Sequence, residues 1–383
     1  MPLSLRPSTV QVGSARARGE PRTIRQGLAG RGSIAAAGRS RRAPRAGPTQ
    51  RSAARTVWYA ARPSLPTRTP CFRGLGTGTG PANAPLVTLP RRVLPGATYL
   101  VTRRCTQRQF LLKPSALINQ VFKFVLATAA ARYKIRIHAA CVMSNHYHLV
   151  VTDPRANLPE FARVLDGVLA KALNLLYDRR ENFWAPSSYS AVELTSPDDV
   201  VEKVAYTLAN PTTAGLVERG RQWPGVWSNP RSLGKPGEIV ERPTHYFTDD
   251  GTMPERAVLT YSRPPGFASL DAFLALVMAR LEDLEEVASA ERAAKGLRVA
   301  GVRRVLNQRH TDGPASVEPR RALDPRIASM DRRTRIEVLD RLAHFFESHR
   351  EALLRYLSGK RNVLFPHGTY LMRVRFGVAC ASS

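Results

Sequence analysis

Cys141-Val142-Met143-Ser144-Asn145-His146-Tyr147-His148-Leu149-Val150-Val151-Thr152 reads as two strands joined by a tight turn. Ile135–Met143 alternates as one strand, Ser144-Asn145 turns the chain, and His146–Thr152 returns as the next. Working outward, Ala97–Arg103 reads as an earlier strand with Tyr99 and Val101 on one face. Pro114-Ser115 opens a helix with Ile118, Val121, Phe122, Val125 and Ala129 at three-four spacing. After the hairpin, Asn157 and Glu160 resemble a capping box ahead of the apolar stripe Phe161, Val164, Leu165, Val168, Ala172 and Leu176. Tyr189–Leu194 is a short fourth strand. Ser196-Pro197-Asp198 then starts a helix expected to run to Asn210, where Pro211 ends it. The order β-α-β-β-α-β predicts an α+β, ferredoxin-like antiparallel sheet with helices on one face.

Three regions are expected along the 383 residues. Residues 1–90 hold fifteen Arg, no Lys and one acid, Glu20, so half of the net charge of +28 lies in this first quarter. With almost no hydrophobic periodicity, the extension is expected to be disordered. Its Arg, Ser and Ala content matches a transit segment, but a GC-rich genome read from an early start codon gives the same composition and is the preferred reading. Residues 91–230 form the expected catalytic domain. Residues 231–383 are expected to be a basic, mostly helical accessory region, with helices at Leu270–Ala294 and Ile336–Leu357, an Arg-rich 301–337 segment and a strand at Tyr370–Val378. Beyond residue 90 the chain still carries +14, so a polyanion is the expected partner. No apolar run approaches about 18 residues, so no membrane partner is expected. Four scattered cysteines without a CxxC pair suit a reducing, cytoplasmic setting in a bacterium.

On the returning strand, His146 and His148 stand at i and i+2 and project side by side. Such a pair can share a divalent ion, although the spacing alone suits ordinary half-buried or surface histidines too. Imidazoles favour zinc, whereas magnesium or manganese needs oxygen ligands beside them. In the helix after Ser196, the stripe Val201, Val204, Ala205 and Leu208 leaves Tyr206 well off its centre, with Asn210 one turn on and Glu202 one turn back. Packing on the sheet does not explain that position; an exposed or interfacial tyrosine does, and so does a nucleophile. A metal held by the histidines and an oxygen ligand would polarise a phosphodiester, and a nearby tyrosine could attack phosphorus to leave a 5′-phosphotyrosine link.

Gly96-Ala97-Thr98-Tyr99-Leu100-Val101-Thr102-Arg103-Arg104, the hairpin above, and Tyr206-Thr207-Leu208-Ala209-Asn210-Pro211 with Ala214-Gly215-Leu216-Val217 together resemble the REP-associated tyrosine transposases of the single-tyrosine HUH superfamily. The resemblance covers about residues 91–230. It implies His146 and His148 as metal ligands for Mg²⁺ or Mn²⁺, Tyr206 as nucleophile and Asn210 as the third ligand. Many single-tyrosine transposases carry Gln at the position of Asn210, which has the same amide oxygen on a longer stem. The implied activity is cleavage and rejoining of single-stranded or hairpin DNA at REP-like palindromes, by a monomer.

Arg103, Arg104, Arg108, Arg219 and Arg221 are the candidate DNA-binding residues; each also fits a basic surface loop. Trp223 and Trp227 suit base stacking or, preferably, core packing. Tyr189 and Tyr177 are reserve nucleophiles. Glu202 is read as a first-turn acid rather than a ligand. Two other readings stand beside the enzyme: a non-catalytic DNA-binding descendant of such a transposase, and an RNA-binding ferredoxin-like module, which would expect solvent-facing aromatics on the central strands, where only Tyr147 is a candidate.

Overall fold

The computed structural model describes residues 89–186, 189–244, 246–247, 251–316 and 326–382. The Arg-rich extension, together with Cys71, lies outside the described residues. The expected β-α-β-β-α-β order is present as β1 (Ala97–Arg104), α1 (Ala116–Tyr133), β2 (Arg136–Met143), β3 (His146–Asp153), α2 (Leu158–Leu176) and β4 (Ser190–Leu194), followed by α3 (Pro197–Thr213). Further along come β5 (Glu238–Glu241), β6 (Arg256–Leu259), α4 (Leu270–Ala294), α5 (Val302–Leu306), β7 (Ile327–Ala328), α6 (Arg332–Leu357) and α7 (Leu371–Phe376).

The main sheet has the order β2-β3-β1-β4-β7, antiparallel except where β7 pairs parallel with β4. Strand alternation divides its side chains between two cores. Tyr99, Val101, Tyr147, Leu149 and Val151 face α1 and α2, which supply Phe122, Leu126, Phe161 and Leu165. Leu100, Ala139, Val150 and Val192 face the other way, onto Val201, Val204 and Leu208 of α3 and Phe273, Val277 and Leu281 of α4. The two helices of the β-α-β-β-α-β unit thus share one face, and the helix that follows it covers the other. Residues 91–230 and 231–383 are joined through this second core. The β5–β6 hairpin, which the sequence reading did not find, adds Val240, Ala257 and Leu259 to the first core.

The β2 edge of the sheet is covered, and a short strand extends the other side. Along β2, Val142 N donates to Val226 O (2.8 Å) and Ser262 N to Ile137 O (2.8 Å), while β7 covers β4.

Three local expectations are corrected. Asn157 makes no capping bond; the Asp153 carboxylate instead accepts from Leu158 N (2.6 Å) and Arg155 N (3.1 Å). An ionised carboxylate is the stronger acceptor at a helix N-terminus. Helix α3 does not stop before Pro211 but runs on to Thr213. Pro211 is buried, and Arg292 Nη1 donates to Thr212 O (2.7 Å), so tertiary contacts offset the hydrogen bond that proline removes. Tyr370–Val378 is not a strand: α7 occupies it, closed by Gly377 at φ 63°. Glycine enters that left-handed conformation at no steric cost and stops the helix there.

A bulge between Ile137 and Ala139 turns His138 into the interior. Its Nδ1–H donates to Ser262 O (2.7 Å), which makes Nε2 an acceptor for the Thr152 hydroxyl (2.7 Å). Thr152 in turn accepts from Thr98 (2.7 Å). Burial pulls His138 down from 6.5 to about 4. Protonation is therefore easier in the unfolded chain, and stability is full above about pH 6.5 and declines as pH falls towards 4. By pH 5, His138 is expected to cost roughly 2 kcal/mol. Urea unfolding of the wild type at pH 7 and pH 5, beside His138→Asn, measures its share. An unchanged pH slope in the variant would contradict a neutral buried imidazole.

Candidate functional site

The pleat of β3 puts His146 and His148 on the α3 face, while Tyr147 between them points to α1 and α2. Their ring centroids are 4.8 Å apart and nearly perpendicular at 87°. Each ring is oriented through Nδ1. Asn145 Oδ1 accepts from His146 Nδ1 (2.7 Å). An amide oxygen only accepts, so that nitrogen carries the hydrogen and the His146 lone pair is at Nε2. His148 Nδ1 lies 2.8 Å from the Thr102 hydroxyl. Thr102 sits directly across the ladder from His148 in the β1–β3 register. Burial above all, then the neighbouring His146 and Arg104, holds the His148 imidazolium well below its ordinary range. The ring is therefore neutral near pH 7, the form in which imidazole donates a lone pair.

Tyr206 meets this pair from α3. Its ring centroid is 5.5 Å from that of His148, edge to face at 77°, and Lys203 Nζ lies 5.5 Å from the same ring. Tyr206 is half-buried rather than sealed in the core. One turn on, Asn210 is 8% exposed, and its Nδ2 has no hydrogen-bond partner among the described residues. A buried N–H donor without an acceptor costs free energy.

Several contacts fix α3 over the histidines. Ser196 caps it by accepting from Asp199 N (3.1 Å), and Asp199 accepts from Met330 N (2.7 Å). Near the other end Trp227 Nε1 donates to Leu208 O (2.9 Å). The buried Glu285 of α4 accepts from Gly220 N (2.6 Å), Thr212 Oγ1 (3.3 Å) and Arg219 Nη1 (3.3 Å). Trp223 likewise packs inside and donates to Val142 O (2.8 Å). Both tryptophans therefore have structural contacts, in line with the preferred reading.

The other candidates are dispersed. Arg104 pairs in register with His146 and is exposed at the mouth of the site. Arg103 alternates to the opposite face, 3.5 Å from the Asp166 carboxylate and over the Trp184 ring. Arg108 is bonded to the Ser316 carbonyl and hydroxyl. Arg219 is held by Glu285, and Arg221 is exposed in the next turn. Glu202 pairs with Arg280 of α4 (2.6 Å). Neither reserve tyrosine joins the histidines: Tyr177 donates to Leu111 O (3.2 Å) and Tyr189 lies beneath Arg91, both against the first core.

Sequence reasoning missed Thr102, Asn145 and Lys203. Only the strand register reveals Thr102. Among the described residues, no three His, Cys, Asp or Glu side chains come together as a metal cage. A third protein ligand beside the two imidazoles would then be of another kind, and the amide of Asn210 is chemically suited to that part.

Residues 96–203 match the family model described as "Transposase IS200 like", in keeping with the motif resemblance. A solved REP-associated tyrosine transposase bound to a REP hairpin is similar at 19% identity over 37% of this chain and 82% of that one, with a TM-score of 0.32. A candidate transposase from Deinococcus radiodurans R1 is similar at 19% identity over 27% of this chain and 82% of that one, with a TM-score of 0.22. No curated protein matches the chain.

At Gly220 the site's frame leaves no room for a side chain. A Cβ there would run into the Leu208 carbonyl oxygen, with Trp227 Nε1 at 3.1 Å and Glu285 Oε1 at 3.2 Å. Gly220→Ala is expected to destabilise the fold by about 2 kcal/mol through overpacking. Denaturant unfolding measures this, and a loss under ~0.5 kcal/mol would contradict the tight approach.

Proposed function

We propose that this protein is a metal-dependent DNA transposase that cleaves and rejoins single-stranded or hairpin DNA through Tyr206. One observation carries the reading: a half-buried tyrosine from α3 packs edge to face on His148, the ring neighbour of His146, and each histidine is oriented through Nδ1. The family-model match ends at residue 203, so the assignment of Tyr206 leans on this geometry and on the motif around it.

His146 and His148, through Nε2, and Asn210, through its amide oxygen, are the residues that would hold Mg²⁺ or Mn²⁺. Asn210 is buried one turn beyond Tyr206, and an amide oxygen is the hard donor that these ions take beside imidazole. When bound, the ion supplies Lewis-acid polarisation of the phosphate. The chain itself supplies the nucleophile and its placement. The Tyr206 oxygen attacks phosphorus, a Tyr–O–P bond forms as the P–O3′ bond breaks, and the hydroxyl proton lost by the tyrosine is balanced by one gained at the departing 3′-oxygen. One phosphodiester becomes another, so the bond energy is retained for rejoining and no nucleotide cofactor is consumed. Lys203, beside the ring, is placed to favour the phenolate charge as it develops.

Arg104 at the mouth of the site is the first candidate for a phosphate contact. The motif resemblance points to REP-like palindromes as the target. Tyr206 and the histidines belong to one chain, which favours a monomer as the working unit. A cytoplasmic setting fits this chemistry, and no helix among the described residues is long and apolar enough to cross a membrane.

The test incubates the full-length protein with a labelled hairpin library and Mg²⁺ or Mn²⁺, then looks for a protein–DNA band that survives denaturation. Wild type is expected to give the band, and Tyr206→Phe or EDTA to remove it. A band that persists in Tyr206→Phe would transfer the role to another tyrosine. Absence of any band from wild type, with DNA still retained in a gel shift, would favour the DNA-binding regulator instead.

A further inference from the structure

Beyond Glu351 the chain holds Arg355, Lys360, Arg361, Arg373 and Arg375 and not one Asp or Glu. All five are exposed, and among the described residues none is held in an ion pair. They are not on a loose tail. A small core of Ala352, Val363, Phe365, Met372 and Val378 fixes α7 against the end of α6. Phe365 N donates to Ala379 O (2.9 Å), and Ala381 N returns to Phe365 O (2.8 Å).

On this base, aromatic rings and guanidinium groups form a continuous row. Arg361 Cζ lies 4.5 Å from the Tyr356 ring centroid, Tyr356 and Phe376 are 6.4 Å apart, and Arg375 Cζ is 5.8 Å from the Phe376 ring. Phe376 is 52% exposed, and Leu357 beside the row is 71% exposed. An isolated exposed phenylalanine needs no explanation; one flanked by stacked cations with no acid to neutralise them fits a polyanion that also presents flat apolar faces. Unpaired nucleotides have both features: phosphates for the guanidinium groups and bases for the rings.

We propose that the end of α6, the turn after it and α7 form a second DNA-binding surface, selective for single strands, in which Tyr356 and Phe376 stack bases while Arg361 and Arg375 hold phosphates. The choice of DNA among polyanions rests on the transposase reading above; the surface itself does not. Its place in the fold separates it from the chemistry. Gly368 O accepts from Val93 N (2.9 Å) and Thr369 bridges to Arg92, which anchors the unit where the chain enters β1. The histidines face the opposite end of β1, beside Thr102 and Arg104. Strand β1 is eight residues long, about 25 Å, and the two sites lie towards its opposite ends. The surface would therefore hold a strand several nucleotides away from the scissile bond.

The test uses the full chain and fluorescence anisotropy, with a labelled oligo-dT of about 20 nucleotides, a duplex of equal length, and vesicles containing anionic lipid. Phe376→Ala is expected to weaken oligo-dT binding roughly tenfold while duplex binding changes little. The pair Arg361→Ala with Arg375→Ala is expected to weaken oligo-dT and also flatten its salt dependence. Melting curves of the variants should match the wild type, because the altered side chains are on the surface. Unchanged oligo-dT affinity in both variants would overturn the proposal. Equal losses on oligo-dT and duplex would overturn its single-strand selectivity, and a loss confined to vesicles would make the surface a membrane contact instead. The phosphotyrosyl band on the hairpin library is expected to persist in Phe376→Ala. Its absence from wild type counts against the catalytic reading alone, whereas unchanged anisotropy counts against the second surface alone.

Discussion

The pairing register between β1 and β3 is the constraint on which the site depends. It sets Thr102 opposite His148 and Arg104 opposite His146, and through strand alternation it decides which face each one serves. A slip of one residue would turn both histidines into the core beneath α1 and α2 and bring Tyr147 out in their place. The packing of Tyr147 opposes such a slip. Its ring is fully buried against Phe122 and Trp184, and its hydroxyl donates to Asp166 (2.7 Å). Burial lifts Asp166 to about 6 against the opposing pull of Tyr147 and Arg103. A buried, hydrogen-bonded tyrosine between two histidines is thus what keeps those histidines on the other side.

The second requirement is that α3 stay over that face. A helix carrying Pro211 in its last turn has lost one of its own hydrogen bonds, and the protein compensates from outside. Trp227 and Arg292 bond its carbonyls, and Glu285 ties the adjacent turn to Thr212. These contacts come from two separate stretches of chain, the segment around Trp227 and helix α4. The position of Tyr206 therefore depends on tertiary packing more than on the helix propensity of its own segment.

Much of this was legible in the sequence because the decisive signals are local and periodic. Alternation gave the hairpin, the three-four spacing gave α1, α2 and α4, and Ser196-Pro197 gave the start of α3. The failures share a physical origin. At Asn157, a carboxylate four residues earlier took the capping role, and nothing in the local pattern ranks those two acceptors. At Tyr370–Val378, alternating apolar residues fit a strand and a short helix alike, and Gly377 in its left-handed conformation decided for the helix. Arg103 and Arg104 are neighbours in sequence, yet one lies against Asp166 and the other at the mouth of the site. Composition cannot separate them; alternation does once one partner strand is known. Thr102 became visible only through the register.

The wall that α4 builds over α3 has a consequence for where this protein can be divided. Judged by the family-model match and by the motifs, a fragment of about 140 residues ending near 230 looks self-sufficient. Cutting there would strip Phe273, Val277 and Leu281 from Val201, Val204 and Leu208, and would remove Glu285 and Arg292 from the end of α3. The helix bearing Tyr206 would then face water along an apolar stripe, with its last turn unbraced. The part of the chain that resembles no motif is structurally the back of the candidate site, and any minimal unit that keeps that site intact must extend at least through Ala294.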